Sequence, residues 1–503
     1  MVRFTGTDGR SSLGALDETS QPIELLLSIS RSAAATLGAQ VEDQLRAAIR
    51  DGAVKPGARV PSTRDLARQL GVSRRVVVDA YGQLAAEGYL SLRQGARPRV
   101  SGTAAAADRA PATPAVAAPA LPRFDFRPSV PDVSTFPRAA WLRALREALA
   151  TMPDADLQYG DPAGVEALRS ALADYLGRVR GVVADPARVV VTTGYTQSLA
   201  LLCHALAAGG ARRLALEDPT NPEQHQIARR AGLEPVPIAV DGDGLRVDAL
   251  ERARADAVVV TPAHQHPTGA VLSGERRTAL LRWLRDRDAL AIEDDYDAEY
   301  RYDRAAVGAL QGLEPDRVAY AGSASKTLAP ALRLGWLVVP PRLLARIREE
   351  KLIADLGTAR IEQQALAHFL ERGELDRHLR RMRGRYRARR DALVQALADE
   401  LPEATVKGIA AGLHVTVEIP GVDQRALAHE AADRRIRFNT LLDYREDNSG
   451  PATLMLGYGQ LAEPAIRAGV RELAAAVTSA RASTPPAAAP PPRRPPRRSP
   501  PRT

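Results

Sequence analysis

The chain holds one cysteine, Cys203, and only four lysines, Lys55, Lys326, Lys351 and Lys407, among 503 residues. A lone cysteine cannot close an internal disulfide, and Cys203 sits in an apolar, helix-like run without metal-ligand spacing, which points to a reducing cytoplasm. Aromatic residues make up 4% of the chain, so its cores must be aliphatic and Ala-rich. With 45% hydrophobic and 26% charged residues, a wholly disordered chain is excluded. No uninterrupted apolar run of about 18 residues occurs, and Met1 to Arg10 lacks the apolar centre of a signal peptide, so neither membrane spanning nor secretion is expected.

What is present is unevenly spread. The formal charge is +9, yet Ala39 to Gly102 holds eleven basic against six acidic residues and Thr484 to Thr503 holds five arginines and no acid. The long middle is therefore near neutral, and any attraction for a polyanion belongs to one compact N-terminal segment and the tail. Two Pro- and Ala-rich stretches divide the chain: a linker at 103–122 and a tail at 482–503, neither able to build a core. Residues 1–20 also read as disordered. A small domain at 21–102 and a large one at 123–481 remain, in keeping with a length that calls for more than one domain.

In the small domain, Val41, Leu45, Ala48 and Ile49 recur at helical spacing and stop at Gly52. Ser62, answered by Asp65, starts a second helix that ends at Gly71, and Ser73 starts a third that carries Arg74 and Arg75 in its first turn. Two short helices joined by a tight Gly-containing turn make a helix-turn-helix. Tyr89 to Gly95 then reads as a strand and hairpin, a wing bearing Arg93, Arg97 and Arg99. If the third helix enters a major groove, Arg74 and Arg75 meet base edges and phosphates while Arg64 grips the backbone.

The large domain alternates apolar, β-branched runs with helical stretches: 188–193, 213–217, 257–261, 289–293, 318–321 and 335–339. This is α/β patterning with a mainly parallel sheet, whose ligands gather at the carboxyl ends of strands. Gly194, Tyr195 and Thr196 open a helix there and offer amides and a hydroxyl to a phosphate. Asp294 and Tyr296 follow another strand; Ser323, Ser325 and Lys326 a third, with Arg333 beyond. A lysine ringed by small hydroxyl residues beside an arginine suits a Schiff base next to a phosphate cup. Together these residues meet the needs of pyridoxal 5′-phosphate. Lys326 takes its aldehyde as the catalytic amine, Asp294 pairs with the pyridine nitrogen and Tyr296 donates to the ring oxygen. Ser323, Ser325, Arg333 and residues 194–196 hold the phosphate. His264 and His266 follow a fourth strand and stand near the ring without an assigned role.

The stretch VEDQLRAAIRDGAVKPGARVPSTRDLARQLGVSRRVVVDAYGQLAAEGYL resembles the N-terminal domain of GntR-type bacterial regulators. The resemblance implies that Arg64, Ser73, Arg74, Arg75 and the wing, Arg93 included, contact a double-stranded DNA operator. It departs at Gly95-Ala96-Arg97-Pro98-Arg99, where relatives carry Gly-x-Gly-Thr. From Phe124 to about Arg481 the chain resembles fold-type I aminotransferases, through HQHPTG, EDDYDAEYRY and SASKTLAPALRLGW. The whole chain is similar to the MocR subfamily of GntR regulators. That implies a homodimer whose aminotransferase-like domain senses pyridoxal phosphate or an amine or amino-acid effector.

Two positions depart from the aminotransferases. Asn221 stands where relatives often stack a tyrosine on the ring, and Thr453 to Tyr458 lacks the arginine that takes a substrate carboxylate, leaving Arg435 or Arg437 as substitutes. Efficient transamination is not implied; at most a weak half-reaction is expected. Control of pyridoxine synthesis and control of amine catabolism both remain open. The alternative reading is a working aminotransferase with an appended DNA-binding module, and a third is a plain DNA-binding regulator whose cofactor pocket is dead.

Overall fold

The computed structural model describes residues 27–102, 121–302, 307–445 and 452–483. The expected loose N-terminus, the linker as far as residue 120 and the tail from 484 lie outside them. The chain divides into two compact units, Met1–Pro119 and Ala120–Thr503.

The first unit has three helices, α1 (Leu37–Arg50), α2 (Thr63–Leu70) and α3 (Arg74–Ala86), and two short antiparallel strands, β1 (Leu90–Ser91) and β2 (Arg99–Val100). The Ser62 hydroxyl accepts the Asp65 amide at the start of α2, and Gly71 closes that helix in the left-handed conformation at φ +62°. Both groups are satisfied locally, so the turn into α3 is fixed by sequence. Ser73 occupies the N-cap position of α3 with extended backbone, but its side chain makes no capping bond there. Val41, Leu45 and Ile49 of α1 pack with Leu66 of α2, Val77, Tyr81 and Leu84 of α3, and Leu90 and Val100 of the wing. This is a winged helix-turn-helix.

The second unit is built on an eight-stranded sheet: β3 (Val189–Thr192), β4 (Arg213–Asp218), β5 (Glu234–Asp241), β6 (Gly244–Leu245), β7 (Ala257–Val260), β8 (Leu290–Asp295), β9 (Val318–Ser323) and β10 (Gly335–Val338). The order across the sheet is β3-β10-β9-β8-β7-β4-β5-β6. Pairings are parallel except at β10, which opposes both its neighbours, and at the short edge strand β6. Every residue of β3, β7, β8, β9 and β10 is buried, as expected of a sheet covered by helices on both faces. A smaller antiparallel sheet, Thr405–Lys407, His414–Glu418, Thr453–Gly457 and Asn439–Thr440 in spatial order, lies toward the C-terminus. The last helix runs from Glu463 to Ser483, so positions 482 and 483, expected in the tail, are helical.

Candidate functional site

Strand alternation sets the chemistry at the end of β8, where three acids follow one another. Glu293 accepts the amides of Leu310 and Gln311 at 2.9 Å each. Asp295 binds the buried Arg180 guanidinium at 2.7 Å and accepts the Tyr320 hydroxyl at the same distance. Asp294, between them, faces the other way and lines a cavity of about 210 Å³. Its carboxyl is pushed well above the usual range by burial and then by Asp295 and Asp297, with Lys326 opposing the rise. Such a group gains from any cation brought against it.

The cavity collects Tyr195, Thr196, Asp294, Tyr296, Ser323, Ser325, Lys326 and Arg333, eight of the nine expected cofactor residues. Gly194, the ninth, caps the helix Tyr195–Ala208 at φ +122°. A Cβ there would come within 3.3 Å of the Arg333 guanidinium. Glycine thus lets the helix start lie against the arginine, and the two form one anion cup. Among the described residues no carboxylate pairs with Arg333. Burial lowers the Lys326 amine, against which Asp297 and Asp294 hold it up. The Tyr195 hydroxyl lies beside Asp294.

The two histidines separate. His266 lines the cavity, and burial, His414 and Lys326 keep it well below its ordinary value, hence uncharged. His264 stands behind Tyr296: its Nδ1 lies 3.0 Å from Asp297 and 3.1 Å from the Tyr296 hydroxyl. Asn221 lines the cavity, whereas neither proposed substitute arginine does. Arg435 donates to the Leu121 carbonyl at 2.6 Å, and Arg437 pairs in register with Asp125 in a separate two-stranded sheet.

Ser129, Thr220, Gln224 and Thr261 complete the lining and are not marked by any spacing in the sequence. Among the described residues, Ser129 and Arg333 are two of six non-glycine residues with left-handed backbone, and both face this cavity. The Ser129 hydroxyl, Gln224 Oε1 and His266 Nδ1 are buried without a partner among the described residues. Behind them Glu217 accepts the Thr261 hydroxyl and the Gln265 amide, and burial pushes it up to about 7. A buried carboxyl without a matched cation, an amine, an arginine without a carboxylate and unmet polar atoms in one cavity fit pyridoxal phosphate. No cluster suited to a metal ion occurs among the described residues.

In the first unit Arg64, Ser73, Arg74, Arg75 and Arg93 are all exposed. The Arg74 side chain reaches the Thr63 hydroxyl at 3.4 Å, which draws the starts of α2 and α3 together.

Residues 37–100 match the family described as bacterial regulatory proteins, gntR family, and residues 130–439 match aminotransferase class I and II. The pyridoxine biosynthesis transcriptional regulator PdxR of Corynebacterium glutamicum is 34% identical over 87% of this chain and 95% of its own. The probable rhizopine catabolism regulatory protein MocR of Rhizobium meliloti is 31% identical over 91% and 97%. The chain belongs to the MocR-type GntR regulators. Members of this type join a helix-turn-helix to an aminotransferase-like domain, and this MocR-type chain is a DNA-binding transcription regulator whose large unit binds pyridoxal phosphate. Solved structures similar to that unit include the multiple substrate aminotransferase of Thermococcus profundus, with a TM-score of 0.64 and 27% identity over 71% of this chain and 91% of its own. LysN of Thermus thermophilus, complexed with N-(5′-phosphopyridoxyl)-L-leucine, has the same score and identity and is covered to 93%. No helix of the described residues is long and apolar enough to cross a membrane.

Proposed function

We propose that this regulator reads the occupancy of its Lys326 cavity and passes it to the DNA-binding unit. The reading rests on one observation: Lys326, Asp294 and Arg333 line one cavity at the carboxyl edge of the sheet. Lys326 is the attachment amine, Asp294 holds a proton on the ring nitrogen, and Tyr296 faces the ring oxygen. Gly194, Tyr195, Thr196, Ser323, Ser325 and Arg333 hold the phosphate. Bound there, the cofactor supplies an aldehyde open to primary amines and an electron-withdrawing ring. A ligand can act on the operator only through unequal affinity for two arrangements of the protein.

Sensing is favoured over turnover by the charges in the cavity. Among the described residues lining it, Lys326 and Arg333 are the only arginine or lysine, and the cofactor engages both. His266 is uncharged, and Arg435 is held by Leu121. An α-carboxylate therefore meets no spare cation among the described lining residues, which supports at most a weak transaminase half-reaction. The effector is the cofactor itself or an amine, and the genes controlled serve pyridoxine synthesis or amine catabolism.

Arg64, Ser73, Arg74, Arg75 and Arg93 contact the operator in this reading, with Arg74 and Arg75 at base edges. The chain works in the cytoplasm as a homodimer. Leu157, Tyr159 and Leu356, which line one surface groove and are exposed by 61%, 87% and 52%, support self-association.

Footprinting on the protein's own upstream DNA, with and without pyridoxal phosphate, tests the coupling. Protection that changes with the cofactor supports it, and identical protection refutes it.

A further inference from the structure

A second cavity of about 570 Å³ lies between the start of the helix Arg138–Thr151 and the first half of the helix Glu374–Glu400. Five arginines line it, Arg138, Arg143, Arg377, Arg381 and Arg385, against a single carboxylate, Glu374. Spacings of three and four residues put Glu374, Arg377, Arg381 and Arg385 on one helix face. Glu374 is already shared, 3.2 Å from Arg143 and 3.1 Å from Arg377. Among the described residues no carboxylate pairs with Arg138, Arg381 or Arg385.

Four guanidinium charges beyond the one carboxylate repel one another unless an anion joins them. The cavity is of a size to hold a small molecule, and arginine meets phosphate with two parallel donors. The opposite wall is a helix start whose cap, Pro137, offers no side-chain bond, so its first amides add a partial positive charge. The floor is His378, buried, whose Nδ1 accepts from Arg381 at 3.1 Å. That bond leaves the ring proton on Nε2, beside the backbone of Thr327, the residue after Lys326. One face of Arg381 is thus fixed and its remaining donors stay available to a ligand.

We propose that this groove is a second anion site, taking the phosphate group of a small molecule, distinct from the Lys326 cavity. With borohydride the cofactor is reduced onto Lys326, so that the first cavity stays filled, and inorganic phosphate is titrated into the full-length protein by calorimetry. One phosphate bound per chain, with affinity falling at least about tenfold in R381Q/R385Q, is the expected result. The variant should bind pyridoxal phosphate normally, which shows that it folds. Absence of phosphate binding to the reduced wild type overturns the proposal. So does equal binding by the variant. A third overturning outcome is a lower salt slope of operator binding in R381Q/R385Q without any phosphate binding, which would give these arginines to DNA backbone. Failure of borohydride to mark Lys326 would count against the cofactor assignment instead, and the wild-type-against-variant difference would still report on the groove.

Discussion

Gly335 lies so close to Gly194 that a Cβ added to Gly335 would stand 2.7 Å from the Gly194 α-carbon and 2.9 Å from the Thr192 hydroxyl. Neither neighbour is a flexible side-chain end, so Gly335→Ala must push the helix start away from Arg333. We expect a loss of about 1 to 3 kcal/mol in stability, as for other overpacked sites. Pyridoxal phosphate affinity should fall with it. Thermal melts and a cofactor titration would show both; an unchanged titration would mean that the helix start does not hold the phosphate.

Lys326→Ala should abolish the visible absorption of the lysine-bound cofactor. After borohydride reduction and digestion, mass spectrometry should find a pyridoxyl adduct on the wild-type 326 peptide and none in the variant.

Asp294→Asn removes the negative partner of the ring nitrogen while keeping the side-chain shape. Hydrogen bonds to charged groups are worth about 1.5 to 3 kcal/mol, so the dissociation constant for pyridoxal phosphate should rise at least about tenfold. Equal affinity in the two proteins would remove Asp294 from the site.

Arg74→Ala with Arg75→Ala should weaken operator binding by about 1 to 3 kcal/mol per lost base contact. Arg75 forms an exposed pair with Asp79 at 3.7 Å and Arg74 a long, exposed bond to Thr63 at 3.4 Å, so folding should be little affected. A gel-shift titration against specific and non-specific DNA separates loss of recognition from loss of charge.

Glu217 rises from 4.5 to about 7 on burial, so the folded state keeps a proton that the unfolded state has released. Its contribution therefore destabilises the protein increasingly as pH climbs from about 4.5 to 7, and remains unfavourable above. Glu217→Gln should raise the melting temperature of the cofactor-free protein at pH 8 more than at pH 5. A uniform shift at both values would show that the carboxyl ionises normally.

Legibility in the sequence followed burial. The six runs read as strands are β3, β4, β7, β8, β9 and β10, continuous in apolar residues because helices cover both faces. β5 escapes such reading: Pro235 and Pro237 break its pattern, and it is tolerated near the sheet edge, beside the short β6. β8 runs to Asp295 rather than Glu293, since its acids are buried on partners, Arg180 and two amides, that lie far off in the chain. The cavity residues that follow strands could be named one by one. Ser129, Thr220 and Gln224 could not, because only the folded topology brings their segments to the same edge. Likewise no spacing tells His266, in the cavity wall, from His264, held behind it by Asp297.

One strand of reversed direction accounts for much of this convergence. β9 carries the chain out toward the ligand edge, leaving Ser323, Ser325 and Lys326 there; because β10 departs from that same rim, Arg333 is delivered to it too. Had the chain first crossed back and re-entered in the common direction, the guanidinium would have emerged a strand's length away, roughly 13 Å for four residues. The antiparallel return is thus the device that lets the eleven consecutive residues from Ser323 to Arg333 supply both the nucleophile and the counter-charge for a single small molecule.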